Sequence, residues 1–189
     1  MATYTSNEFK AGAKVIIDGA PCSILEIEFV KPGKGQAFNR VKYRNLTNGK
    51  TLERTFKSTE TFERADVQEI DADFLYADDS SWHFMDPNSF EQYTASAAII
   101  GNTRYWLTAQ ASCQLTLHQG NILVVTPPNF VDLEVVEATP GVKGDTATGG
   151  SKKVVLEGGG EIEVPLFVTT GDKLRIDTRT GKYSARSKG

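Results

Sequence analysis

The residue best placed for chemistry is Lys34, a lysine with glycine on both sides. Glycine has no side chain, so it leaves the lysine ammonium group uncrowded and allows backbone angles that other residues avoid. The complete run is Lys31, Pro32, Gly33, Lys34, Gly35 and Gln36. Pro32 stiffens the approach to the lysine because its ring fixes φ. An ammonium group held out in this way suits phosphate binding. A lysine that only keeps a turn soluble is the simpler alternative.

The sequence on either side of this run must form the element that holds it. Residues 24–30 and 37–43 both alternate apolar and polar side chains over most of their length. Period-two patterning on both sides of a Pro/Gly loop predicts a β-hairpin with Lys34 at its tip. The second arm adds three basic residues, Arg40, Lys42 and Arg44. With Lys31 and Lys34 they predict a positive end suited to phosphates.

The remaining patterns predict an all-β chain of three consecutive small barrels. Residues 1–64 hold four or five short strands without a convincing helix, which favours an SH3-like barrel. Residues 65–128 add strands and short helical turns between residues 95 and 107, which is typical of an OB-type barrel. Consecutive prolines at 127 and 128 predict the next boundary, because they cannot join a central strand. Residues 129–189 predict a third barrel, in which the glycines at 158–160 form a turn.

Charge is distributed unevenly along the chain. Residues 1–64 carry a net charge of +4, residues 65–128 of −7 and residues 129–189 of 0, within a total of −3. The basic block at residues 1–64 suits phosphate binding, whereas the acidic block at residues 65–128 should not contact phosphates. We expect the acidic block either to face basic protein or to keep the molecule off unrelated nucleic acid. A simple solvated face is the alternative.

Several function classes lack support in the sequence. No dinucleotide-binding glycine motif, phosphate loop, nucleophile elbow or zinc-protease motif is present, so we expect no enzyme and no catalytic residue. His83, His118 and the distant Cys22 and Cys113 lack the close spacing of zinc ligands, so we expect no metal. We interpret the two cysteines as reduced, buried thiols. With no secretory signal and no apolar run of membrane-spanning length, the expected location is the cytoplasm.

Over its whole length the chain resembles the bacterial elongation factor P family. The matching runs are residues 29–38 around the tip, 55–58, 82–85, 125–131, 141–147, 164–168 and 176–183. The resemblance implies a KOW/SH3-like barrel at 1–64 that carries the tip, then OB-type barrels at 65–128 and 129–189. It further implies an L-shaped, tRNA-like arrangement. Such a factor binds both ribosomal subunits beside peptidyl-tRNA and promotes peptide-bond formation at stalled polyproline sequences.

The same resemblance assigns roles to individual residues. Lys34 matches the position that carries a post-translational modification, which implies β-lysylation by a lysyl-tRNA-synthetase-like ligase, with or without hydroxylation. The modified side chain would contact the tRNA acceptor end, with Arg40, Lys42 and Arg44 as contacts to the tRNA backbone. No other cofactor, no membrane and a monomer are implied.

Further matches lie in the last barrel. Tyr183 and Arg186 match tail positions expected near small-subunit RNA. The loop residues Gly144, Asp145 and Thr146 match positions expected near the exit-site codon. At residues 152–154 many family members have Lys-Pro-Ala, whereas this chain has Lys-Lys-Val, so the course of that loop is open. A generic RNA-binding β-barrel protein and a paralogous elongation factor P-like protein remain the alternatives.

Overall fold

The computed structural model describes residues 2–139 and 150–187. These residues form sixteen β-strands, one short α-helix and two 3₁₀ turns. The first strands and the first 3₁₀ turn are β1 (Thr3–Thr5), the turn Ser6–Glu8, β2 (Lys14–Ile17), β3 (Ala20–Val30), β4 (Phe38–Asn45), β5 (Thr51–Lys57) and β6 (Thr61–Glu63). The middle elements are β7 (Val67–Ala77), β8 (Ser81–Met85), β9 (Gln92–Ser96), α1 (Ala97–Ile100), the 3₁₀ turn Gly101–Trp106, β10 (Ser112–His118) and β11 (Asn121–Thr126). The last strands are β12 (Phe130–Ala138), β13 (Ser151–Leu156), β14 (Glu161–Pro165), β15 (Lys173–Asp177) and β16 (Lys182–Arg186).

The first sheet has the antiparallel strand order β2-β3-β4-β5, and β1 pairs with β6 in a separate two-stranded ribbon. Side chains alternate along β4, so that Val41 and Tyr43 are buried while Arg40 and Arg44 are exposed. The buried side chains pack with others from the neighbouring strands, including Val15, into one apolar cluster. This alternation is the period-two pattern that the sequence predicted.

The middle strands form a sheet with the order β11-β10-β7-β8-β9. The helical turns expected between residues 95 and 107 are present as α1 and the 3₁₀ turn that follows it. Gly101 has φ of 48°, a backbone angle that favours glycine, and it caps the C-terminus of α1. Strand β7 runs without a break from Val67 to Ala77.

The last sheet has the order β14-β13-β12-β15-β16 around an apolar core. Trp106, at the end of the second 3₁₀ turn, is 9% exposed and belongs to this core. The predicted glycine turn at residues 158–160 packs closely against this 3₁₀ turn. A Cβ on Gly158 would overlap the carbonyl oxygen of Tyr105. The Lys-Lys-Val run at residues 152–154, whose course the sequence left open, forms part of strand β13. Val154 is buried there.

The predicted all-β fold class is confirmed, with curled, barrel-like sheets throughout the described residues. The described residues fall into two compact units, one within residues 1–70 and 115–124 and the other within residues 71–114 and 125–189. The boundaries at residues 64 and 128 and the L-shaped arrangement stay predictions.

Candidate functional site

The tip of the first sheet is a β-hairpin, as the sequence predicted. Strands β3 and β4 pair in antiparallel register up to Val30 and Phe38. The seven residues from Lys31 to Ala37 connect them, with Lys34 at the centre of the loop. The strands therefore hold Lys34 at the apex of the hairpin.

The loop conformation explains why its residues have these types. Gly35 has φ of 135°, an angle that strains any residue with a side chain, and a Cβ there would lie 3.4 Å from the ring of Pro32. Around Gly33 the space is open. Lys31, Lys34 and Gln36 are exposed, as are both glycines, while Pro32 is half-buried. Among the described residues Lys34 forms no ion pair, so its ammonium group is available to a partner.

The basic residues along β4 are differently placed. Arg40 forms ion pairs with Glu28 at 3.1 Å and with Glu53 at 3.8 Å. Lys42 pairs with Glu26 at 3.5 Å. Exposed pairs of this kind contribute only about 0–1 kcal/mol each, so a phosphate can compete for the cations. Their role as tRNA-backbone contacts stays a prediction, and it requires this exchange.

Arg44 lies further from the tip on the same strand. It is exposed, and no ion pair to it occurs among residues 2–139 and 150–187. Arg40, Lys42 and Arg44 are the three residues on β4 predicted to contact tRNA. Among the described residues, Arg44 is the one of the three that forms no ion pair with a carboxylate. Its role as a contact to the tRNA backbone likewise stays a prediction.

Sequence reasoning missed the polar base of the hairpin. Asn39 is 1% exposed, although it lies on a strand whose next inward residues are apolar. Its side-chain amide donates to the hydroxyl of Ser6 at 2.8 Å and to the side-chain oxygen of Asn7 at 2.9 Å. Both partners belong to the first 3₁₀ turn. The N-terminal segment is therefore part of the structure that supports the tip.

The sequence did contain a signal for this turn. Thr5 and Glu8 have the spacing of a capping box, and the carboxylate of Glu8 accepts hydrogen bonds from the Thr5 backbone N–H at 2.7 Å and from its hydroxyl at 2.8 Å. The backbone hydrogen bond from Thr5 is the main cause that lowers the pKa of Glu8. Phe29, the first residue of the run around the tip, has 56% of its surface exposed.

The predicted residues of the last barrel lie near a cleft. Arg186 forms an ion pair with Asp172 at 2.7 Å and lies over the ring of Phe167 at 5.3 Å. Tyr183 is half-buried against the core and lines a cleft of about 730 Å³ together with Phe167 and Lys182. The backbone N–H of Thr169, and then Arg186, lower the pKa of Asp172. Gly144, Asp145 and Thr146 fall outside the described residues.

The described part of the chain contains no group of three or more His, Cys, Asp and Glu side chains close enough to hold a metal ion. Cys22 and Cys113 are both buried and free, as the sequence predicted. Burial raises the pKa of Cys22, and it raises that of Cys113 to about 11. None of the described helices has the length and apolar character needed to cross a membrane.

Comparison with known proteins gives consistent matches along the chain. Residues 5–62 match the elongation factor P (EF-P) KOW-like domain, residues 67–125 the elongation factor P (EF-P) OB domain, and residues 131–186 the elongation factor P C-terminal domain. Together the three models leave only short ends and linkers unmatched.

Two solved structures have a related fold. Eukaryotic translation initiation factor 5A from Methanococcus jannaschii superposes with a TM-score of 0.54 at 22% identity, over 67% of this chain and 92% of that one. A translation initiation factor eif-5a family protein from Naegleria fowleri ATCC 30863 gives a TM-score of 0.51 at 16% identity, over 66% of this chain and 97% of that one. At these identities the similarity concerns the fold.

Proposed function

Because the chain belongs to the elongation factor P family of translation elongation factors, we propose that it promotes peptide-bond formation on ribosomes stalled at consecutive prolines. In this proposal the factor binds beside peptidyl-tRNA and contacts both subunits. Lys34 reaches the acceptor end of that tRNA. The factor acts in the cytoplasm as a monomer and is not itself an enzyme.

One observation carries the proposal: the apex of the hairpin presents a single exposed lysine between two glycines. No nucleophile–base pair is needed, because correct orientation of two reactants can lower a barrier by itself. A cation held at the end of a β-hairpin can bind the phosphates and ribose hydroxyls of the tRNA end. The reacting groups belong to the ribosome and its tRNAs, and the factor holds the end of the peptidyl-tRNA in a reactive orientation.

We further propose that Lys34 is β-lysylated by a lysyl-tRNA-synthetase-like ligase, with or without hydroxylation. The ligase would activate the carboxyl group of β-lysine with ATP, releasing pyrophosphate, and the Lys34 Nζ would then form the amide with release of AMP. The modification would move positive charge outward from the apex on a longer side chain. The open space around Gly33 and the exposure of Lys34 support access for such an enzyme. Intact-mass measurement of the protein from its native host would detect the added residue.

The function is tested with two lysine variants in a purified translation system that uses the protein modified in its native host. Lys34→Ala removes the apex cation, and Lys50→Ala removes another exposed lysine, from the β4–β5 turn of the same barrel. We expect the yield of a reporter with three consecutive prolines to fall to the factor-free level with Lys34→Ala. Lys50→Ala should leave it unchanged, and a reporter without prolines should not respond to either.

Equal polyproline yields from the unaltered factor and Lys34→Ala would refute the proposal. A generic RNA-binding protein should instead bind free RNA strongly, with a steep dependence on salt. The net charge of −7 on residues 65–128 weighs against that alternative, because an acidic block repels phosphate.

A further inference from the structure

We infer that Asn39 and Ser6 form a positioning device that fixes the direction in which the hairpin presents Lys34. This inference rests on the proposed function of Lys34. It states that residues away from the apex fix the orientation of the Lys34 side chain. The inference starts from one anomaly, a buried amide at the end of the inner face of β4.

Asn39 is unusual for its position. Asparagine is disfavoured in strands, and burial of its amide is costly unless hydrogen bonds replace those to water. The next two inward side chains, Val41 and Tyr43, belong to the apolar core. An apolar side chain at position 39 would extend that core. A polar one therefore needs another explanation.

The hydrogen bonds of Asn39 connect three segments of the first barrel. Its amide donates to Ser6 and Asn7 of the 3₁₀ turn at 2.8 and 2.9 Å. The Ser6 hydroxyl, itself fully buried, donates to the carbonyl oxygen of Lys57 at the end of β5, at 2.7 Å. The Ser6 backbone N–H donates to the carbonyl oxygen of Glu60 at 2.9 Å. Strand β4, the N-terminal turn and the segment after β5 are thus bound at one point.

This point lies where the hairpin leaves the barrel. Asn39 pairs with Phe29 on β3 and with Phe56 on β5. One pair further along, Val30 opposite Phe38, the ladder ends and the loop with Lys34 begins. Just beyond it the Ser58 N–H donates to the carbonyl oxygen of Ala37 at 3.2 Å. A rotation of the hairpin about its base would strain these bonds together with the ladder that joins β4 to β5.

Hydrogen bonds suit this task better than apolar packing. Apolar contact is non-directional, so an apolar residue at position 39 could close the barrel with the hairpin at several angles. Hydrogen bonds depend on angle as well as distance, and a satisfied buried network can specify one arrangement. Asn39 is therefore a positioning residue that acts through the hairpin on Lys34.

The test measures the direction of the hairpin without relying on ribosomal activity. Nitroxide probes on Lys34→Cys and on Thr51→Cys, an exposed residue at the start of β5, report the distance from apex to barrel by pulsed electron resonance. The buried Cys22 and Cys113 remain unlabelled in the folded protein. We expect one narrow distance distribution for the protein with an intact Asn39.

Two variants remove the network and one serves as its control. Asn39→Leu replaces the amide by an apolar group of similar size, and Ser6→Ala removes the bridging hydroxyl in case the first variant does not fold. Val41→Ala damages the same inner face of β4 without touching the network. We expect the narrow distribution to be lost with Asn39→Leu and Ser6→Ala and to be kept with Val41→Ala. On the lysine-bearing protein, the first two should lower the polyproline yield several-fold, whereas Val41→Ala should not.

An unchanged distance distribution in both network variants would overturn the inference. So would a broadened distribution together with a full polyproline yield, if Lys34→Ala abolishes that yield. If Lys34→Ala has no effect on the yield, the proposed function fails instead, and the distance measurement alone decides whether Asn39 fixes the hairpin.

Discussion

At the scale of single residues, the basic side chains of the hairpin differ in whether a carboxylate contacts them. Lys34 lies exposed at the apex, whereas Arg40 and Lys42 contact Glu28, Glu53 and Glu26. The carboxylates lie opposite the cations because the register of β3, β4 and β5 places them there. Contact of Arg40 or Lys42 with tRNA would therefore require an exchange of carboxylate for phosphate, whereas Lys34 at the apex would require none.

This division predicts the effect of removing carboxylates. Glu26→Gln combined with Glu28→Gln frees Lys42 and one contact of Arg40. An exposed ion pair is worth about 0.2–1 kcal/mol, so the loss of two pairs should raise the affinity for transfer RNA by up to about 2 kcal/mol, which is about thirtyfold. Binding measured by fluorescence anisotropy over a series of salt concentrations would show this, with a steeper salt dependence than the unaltered protein.

A matched control separates the effect of local pairing from that of net charge. Glu161→Gln with Glu163→Gln removes two exposed carboxylates from β14, where no ion pair to either occurs among the described residues. If both double variants raised the affinity equally, the ion pairs on the hairpin would have no special role.

At the scale of elements, local sequence signals predicted what depends on neighbours in the chain. The hairpin and the helical turns between residues 95 and 107 both follow from periodicity and turn chemistry, and both are present. What the sequence did not reveal are contacts between distant segments. Asn39 meets Ser6 across 33 positions, and a strand pattern carries no information about such a partner. The Arg40 ion pairs were missed because they depend on register.

The contact between Tyr105 and the glycine turn is another such element-scale feature. Gly158→Ala would drive a methyl group into the carbonyl oxygen of Tyr105, and a backbone atom cannot move aside easily. We expect this change to lower the free energy of unfolding by about 1–3 kcal/mol, the usual cost of overpacking. Denaturant titration followed by tryptophan fluorescence would measure it, since Trp106 lies beside the contact.

Gly33→Ala provides the comparison, because its Cβ would meet open space. Such a surface change should shift the free energy of unfolding by no more than about 0.5 kcal/mol. Similar losses from the two alanines would mean that the close approach at Gly158 does not constrain the turn.

Acid should weaken the last sheet through a defined ion pair. Asp132 on β12 accepts two hydrogen bonds from its strand partner Arg175, at 3.0 and 3.1 Å. These bonds are the largest cause that lowers the pKa of Asp132 in the folded protein. A lowered pKa stabilises the fold above the unfolded value of about 3.9, and the contribution is lost as the pH falls through the folded value.

We therefore expect Asp132→Asn to lose less stability than the unaltered protein between about pH 5 and about pH 2. Denaturant midpoints measured across this range would give the difference. Glu137→Gln, an exposed change on the same strand, should retain the acid dependence of the unaltered protein. An identical acid dependence for Asp132→Asn would contradict the assignment.

At the scale of the whole molecule, the charge changes sign between consecutive blocks. The first 64 residues carry +4 and the next 64 carry −7. Like charges repel over roughly a Debye length, about 8 Å at physiological salt, so the acidic block should disfavour any RNA that approaches it. The factor would then bind RNA only in poses that keep this block away from phosphate. The L-shaped arrangement implied by the family resemblance also stays a prediction.

Neutralising the acidic block tests this idea. Glu69, Asp71 and Asp79 are exposed and form no ion pair among residues 2–139 and 150–187, so their conversion to amides removes charge without breaking a contact. We expect the triple variant to bind free RNA more tightly, with the gain lost at high salt, and to keep its polyproline yield. The same number of amides at Glu137, Glu161 and Glu163 should have a smaller effect, because their block is neutral overall. A fall in polyproline yield with unchanged binding to free RNA would instead assign the acidic surface to a basic protein partner, since only a lost attractive contact on the ribosome would produce that pair of results.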